Sequence, residues 1–265
     1  MDEKFCEQTE EERFDEFQKA LVTFWNNSKE PNSRYKSWEY CYEQFYQAIK
    51  KENNFNGKDI DFLCLHLALY LASWGMLRNS FLLECDYKIH VDVVKEILNP
   101  RYKKLLGIKC ADILDDDNWM LLQELIEGRE GNGGIRNIYR EIREKIYNGN
   151  SPKKYVSDIL ITKVLMGTLG CVPAYDRFFT DAIAGKENID KAKEMKEENL
   201  KRYVAPSKFG KKSITDLASF YESHKSEMES ERVKMKIADE IEYPQMKLLD
   251  MGFWQLGFEA EQRRK

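Results

Sequence analysis

A chain of 265 residues with 42% hydrophobic side chains can bury a core without covalent staples, either as a single helical unit over 1–265 or as two intimate lobes, 1–150 and 151–265. Lysine and arginine (42) nearly balance aspartate and glutamate (46), so the net charge of -4 supplies no global attraction for nucleic acid, and any such binding needs a local basic surface. The six cysteines are scattered without a C-x-x-C pair, and the acidic start lacks the basic-then-apolar order of a signal peptide, so a reduced, cytoplasmic, bacterial-type protein is expected.

Residues 10–26 place Phe14, Phe17, Leu21, Val22 and Trp25 three and four apart, the spacing of an amphipathic helix that Pro31 ends. Residues 35–51 carry Trp38, Tyr42, Phe45, Tyr46 and Ile49 on one side, an aromatic stripe that reads as core rather than as a stacking platform. A polar turn follows, and Asp59 can cap the next element. Residues 60–79 are apolar almost all round and predict the central helix of the fold. The most apolar run, Phe62 to Leu77, is interrupted by His66 and Ser73 and falls short of the roughly 20 residues that span a bilayer, so no membrane partner is expected. At its far end Trp74, Arg78 and Asn79 are placed to line a cleft; the alternative has Arg78 meeting the helix C-terminal carbonyls.

Residues 81–98 predict one or two further helices, closed by Pro100. Asp115, Asp116 and Asp117 precede Trp119 and favour helix capping over metal binding. The stretch GREGNGG at 128–134 resembles the E-G-N-G core of adenylylating Fic enzymes, but Ile126 stands where their histidine would be, and a loop between helices is the better reading. A charged amphipathic helix is expected over 135–147, and a solvated helix or excursion over 185–201. Residues 213–242 read as helical up to the break at Tyr243 and Pro244, and 245–258 return Met246, Leu249, Phe253 and Trp254 to the core. With no sustained period-two run, the fold class is all-α, a compact multi-helix globular protein with a cleft.

Three histidines without H-x-x-x-H or H-x-E partners do not make a zinc site, and G-x-S-x-G, P-loop and dinucleotide patterns are missing, so no metal or cofactor is expected. The sharpest feature is ILITKVLMGTLGCVPAYDRFF at 159–179. Lys163 interrupts an apolar helix, and a lysine there must reach water, pair with a carboxylate or serve as an amine, because an unpaired buried ammonium is costly. At ~1.5 Å rise per residue it stands roughly 10 Å up the helix from the break at Gly170. If Val172 and Pro173 reverse the chain, the next helix runs back alongside and Asp176 comes within reach of Lys163.

A lysine-bearing helix, a break ending in proline and an aspartate opening the next helix resemble the helix-hairpin-helix DNA glycosylases, particularly the divergent bacterial 8-oxoguanine-glycosylase-like branch. The resemblance covers about thirty residues. It implies that Lys163 attacks the sugar C1′ to expel the base, that Asp176 stabilises the charge developing there, and that the partner is DNA. The hairpin glycines expected before the lysine are replaced by NGNSPKKYVSDILIT, and the spacing of thirteen from lysine to aspartate is shorter than usual. Lys153 and Lys154 would then contact phosphate, and Trp74, Arg78, Asn79, Tyr175 and Arg177 would hold the extruded base. Two readings stand at this point. One is an enzyme that excises a damaged or modified base, in repair or in defence against modified phage DNA. The other is a non-catalytic all-α binding or assembly protein, in which Lys163 and Asp176 form a structural ion pair and aromatic surfaces meet a protein partner.

Overall fold

The computed structural model describes residues 9–51, 55–129, 132–149, 155–185, 204–238 and 240–263, and these fold as an all-α protein. Helix α1 (Glu10–Lys29) opens with a reciprocal cap: Thr9 Oγ1 accepts the Glu12 N–H at 3.1 Å, and the Glu12 carboxylate accepts the Thr9 N–H at 2.8 Å. Its periodic residues Phe14, Phe17 and Leu21 are buried. Helix α2 (Lys36–Lys51) buries Trp38, Tyr42, Phe45 and Ile49, so the aromatic stripe is core, and the Trp38 indole N–H is satisfied by the Met166 carbonyl at 2.9 Å.

Helix α3 (Gly57–Ser73) differs from its sequence reading in two respects. Asn56 is the cap, accepting the Lys58 and Asp59 amides, while Asp59 closes the box by accepting the Asn56 N–H at 2.9 Å. The helix is also not central. Leu63, Leu67, Tyr70 and Leu71 face inward, but Phe62, Leu65 and Leu69 are 50%, 46% and 56% exposed. An apolar pattern on every side carries no information about which side will be covered.

Helices α4 (Val91–Ile97), α5 (Cys110–Ile113), α6 (Asp116–Glu127) and α7 (Ile135–Ile146) follow. Asp115 caps α6 by accepting the Asp117 N–H at 2.9 Å, which is the role its position predicts. The chain continues through α8 (Asp158–Thr168), α9 (Arg177–Ala184), α10 (Lys211–Ser223) and α11 (Lys225–Arg232). An antiparallel pair, β1 (Lys236–Ala238) and β2 (Ile241–Glu242), precedes α12 (Gln245–Arg263). Residues 213–242 are therefore not one helix. The chain breaks at His224, whose ring stacks on Phe14 at 3.9 Å, and then forms a hairpin too short to leave an alternating pattern in the sequence.

The central places belong to α8, buried at every residue from 160 to 168, and to α12, whose Met246, Leu248, Leu249, Met251 and Phe253 are fully covered. Both α1 and α9 pack along α12, α2 packs along α8, and the buried residues from Phe14 to Trp254 form one hydrophobic cluster. Among the described residues no helix is long and apolar enough to cross a membrane.

The buried thiols give this core a pH dependence. Burial pushes Cys171 up to about 12 from an ordinary 9.0 and raises Cys41 and Cys110 as well. A group whose folded pKa is raised contributes stability that is complete below its unfolded value and lost as pH climbs towards the folded one. Each such thiol then lowers stability by about 1.4 kcal/mol per pH unit above pH 9. Lys247, whose pKa is lowered by burial, acts in the opposite sense below 10.5, but it stands against these three thiols, against Cys64 and Cys85, which are raised too, and, from pH 10, against buried tyrosines such as Tyr42 and Tyr139. Urea unfolding under reducing conditions should thus show stability falling steeply between pH 9 and 10.5. Cys171→Ala should flatten that slope by about 1.4 kcal/mol per pH unit, and an unchanged slope would contradict the assignment.

Candidate active site

At the end of α8, Gly170 adopts φ +61 and its N–H donates to the Leu165 carbonyl at 2.9 Å, a left-handed exit that turns the chain sharply. Two side chains then clamp the returning strand of backbone. Thr162 Oγ1 accepts the Tyr175 N–H at 3.0 Å, and Asp250 Oδ1, from α12, accepts the Ala174 N–H at 2.9 Å. The next residue, Asp176, caps α9 by accepting the Phe179 N–H on Oδ1 at 3.2 Å. Its Oδ2 faces α8.

There the Lys163 ammonium donates to Asp176 Oδ2 at 2.8 Å, and the Trp254 indole N–H donates to the same oxygen at 3.2 Å. The Lys163 side chain is 3% exposed and that of Asp176 16%. The ammonium also stands 5.0 Å from the centroid of the Trp74 ring, close enough for a cation–π contact. Trp74 is itself set edge-on to Trp254 at 5.4 Å and to Tyr35 at 5.6 Å. The pair is thus held on one side by rigid aromatic rings.

Beside the pair lies a cavity of about 350 Å³, within the ~300–1,000 Å³ range of small-molecule sites. Its wall is built from the turn after α3 (Trp74, Gly75, Arg78, Asn79, Ser80), from Arg143 and Tyr147 at the end of α7, from Tyr155 and Ser157 leading into α8, and from Lys163 and Asp176. Tyr155, 83% exposed, marks the mouth. An ammonium and a carboxylate in direct contact at such a wall can exchange a proton, stabilise a developing cation or anchor a polar ligand.

The structure brings together Lys163, Asp176, Trp74, Arg78 and Asn79 from the sequence reading. It places two others elsewhere. Tyr175 is 3% exposed, with its hydroxyl donating to Ser213 Oγ at 2.7 Å and its ring packed on Phe179 and Phe209. It points away because the residue before the cap has its amide clamped to Thr162. Arg177 lies on the outer side of α9, paired with Glu261 at 3.3 Å and stacked over Phe178. Neither lines the cavity. Lys153 and Lys154 lie outside the described residues, as do Glu130 and Gly131 of the Gly-rich loop.

Sequence reasoning missed Arg143, Tyr147 and Tyr155, which carry no local signal and meet the site only through tertiary packing. It also missed a second buried pair. Lys247 and Asp250, 2% and 5% exposed, form a 2.7 Å ion pair on α12, with the Lys247 ammonium 4.7 Å from the Trp38 ring. The signal that singles out Lys163, a lysine inside an apolar helix, was present in MKLLDMGFW. Among the described residues no three His, Cys, Asp or Glu side chains gather as a metal ion would require. Comparison of the chain with protein-family models, with curated proteins and with solved structures returns no match.

Proposed function

We propose that the cavity receives an extruded nucleobase and that the protein is a DNA N-glycosylase acting on a damaged or modified base, with Lys163 and Asp176 at the reacting centre. The observation that carries this reading is that the buried pair borders a cavity open at Tyr155 instead of being sealed in the core. Trp74 lines the cavity with its ring already engaged by Lys163, Arg78 and Asn79 offer polar contacts to an entering ligand, and the 83% exposed Tyr155 ring offers a stacking surface beside them.

In the lyase form of the reaction, Asp176 Oδ2 takes a proton from Lys163, and the free amine attacks C1′. The C1′–N bond breaks with its electron pair leaving on the base, which is protonated by water. The sugar ring then opens as the C1′–O4′ bond breaks, its electron pair going to O4′ together with one proton from the nitrogen, and an iminium is left between C1′ and Lys163 Nζ. In the hydrolytic form, Asp176 activates water and stabilises the cationic sugar. Borohydride trapping over a panel of damaged and modified duplexes tests the first form, and abasic-site formation assayed in parallel tests the second. A covalent adduct that disappears in Lys163→Ala is the expected result. Neither adduct nor abasic sites on any duplex would leave the assembly-protein reading, which the exposed Phe62, Leu65 and Leu69 of α3 favour.

A further inference from the structure

We infer that Asp250 is a positioning residue for Asp176, acting through the backbone amide of Ala174. For its activity arm the inference rests on the glycosylase reading above. Asp250 Oδ1 accepts the Ala174 N–H at 2.9 Å, and the Asp176 N–H in turn donates to the Ala174 carbonyl at 2.8 Å, so the residue that Asp250 grips is the one on which the Asp176 backbone closes. The amide between them belongs to Tyr175 and is held by Thr162 of α8. Asp176 is thus fixed from two directions, one from the helix that carries Lys163 and one from α12, which also carries Trp254.

The acceptor at position 250 is a carboxylate, although a neutral amide could accept the same N–H. Its second oxygen binds Lys247, whose ammonium lies 5.8 Å from the centroid of the Trp74 ring against which Lys163 also stands. Burying a second ion pair costs desolvation that an apolar pair would not, and packing alone does not require it. Lys247 holds the carboxylate with Oδ1 turned to the Ala174 amide, and it is the hydrogen bond accepted there that fixes the turn aiming Asp176.

The test compares two neutral variants, since removing Asp250 alone would strand a buried ammonium. K247M/D250N keeps an oxygen for the Ala174 amide, while K247M/D250L is nearly isosteric and has none; K247M/D250A serves if leucine overpacks the site. The first readout needs no activity. The Trp254 indole N–H donates to Asp176 Oδ2, so its cross-peak in a ¹H–¹⁵N spectrum of the full chain, assigned with W254F, reports where that carboxylate sits. The Asn variant should keep the wild-type Trp254 peak and the Leu variant should shift it. Single-turnover base release should fall roughly ten- to a hundredfold in the Leu variant relative to the Asn variant, with DNA affinity held within about twofold. Equal Trp254 peaks and equal rates in the two variants overturn the inference. If wild type releases no base from any duplex, the glycosylase reading fails by itself, and the indole comparison still decides whether Asp250 places Asp176.

Discussion

Asp176→Ala is expected to cost the fold about 3–5 kcal/mol, and Lys163→Met only about 1–2 kcal/mol, although the two changes break the same 2.8 Å ion pair. The asymmetry follows from what each leaves behind. Without Asp176, Lys163 is an ammonium at 3% exposure that keeps the Trp74 ring face and a narrow share of the cavity wall but faces the like charge of Lys247, and a cation–π contact of about 1–2 kcal/mol does not offset the desolvation of a buried charge. The α9 cap is lost as well, at about 1 kcal/mol. Without Lys163, Asp176 keeps the Trp254 and Phe179 N–H groups and borders the cavity. Asp176→Asn should fall between the two, because asparagine preserves the cap and a carbonyl oxygen. Urea unfolding checks the order, and an alanine variant no less stable than the methionine variant would show that the lysine is not held by this carboxylate. Activity separates function from scaffold: under the glycosylase reading, Asp176→Asn folds but loses base release by about two orders of magnitude or more.

This pair was legible in the sequence because both of its ingredients are local. A lysine in the apolar run of α8 demands a partner, and a glycine–proline break followed by aspartate predicts a reversal with a capped helix beyond it. The amphipathic α1 and α2 were legible for the same reason, their 3.6-residue period naming the buried face before any tertiary contact is known. Helix α3 was not, since apolar residues on every side do not say that Phe62, Leu65 and Leu69 stay outside. The cavity was only partly legible. Trp74, Arg78 and Asn79 were found from the end of one helix, but Arg143, Tyr147 and Tyr155 converge on them from segments more than sixty residues away along the chain. Tyr175 and Arg177, adjacent to Asp176 in sequence, were assigned by proximity. A helix start sends neighbouring side chains in different directions, and theirs go to Ser213 and Glu261.

Gly257→Ala is expected to disrupt both stability and the site, even though alanine is the better helix former by about 1 kcal/mol. A Cβ at position 257 would overlap the carbonyl group of Phe178, and backbone atoms cannot turn aside as the end of a side chain can. The steric term outweighs the propensity gain, since forcing one carbon into a packed contact costs about 1–3 kcal/mol and more where only main chain can yield. Phe178 lies two residues after Asp176 in the first turn of α9, and its ring is fixed edge-on by Trp254 at 5.4 Å and Phe258 at 5.6 Å. The first turn of α9 must therefore lift off α12 when the methyl group is added. Asp176 moves with it, away from Lys163 on α8 and from the Trp254 indole on α12. Gly57→Ala is the matched control, because a Cβ there meets nothing within 4 Å and the change leaves stability within about 0.5 kcal/mol. Urea unfolding of both variants, with borohydride trapping on whichever duplex reacts with wild type, measures the two effects together. A Gly257→Ala protein with wild-type stability would mean that α9 can shift freely on α12, and then the separation of Lys163 from Asp176 is not set by this helix contact.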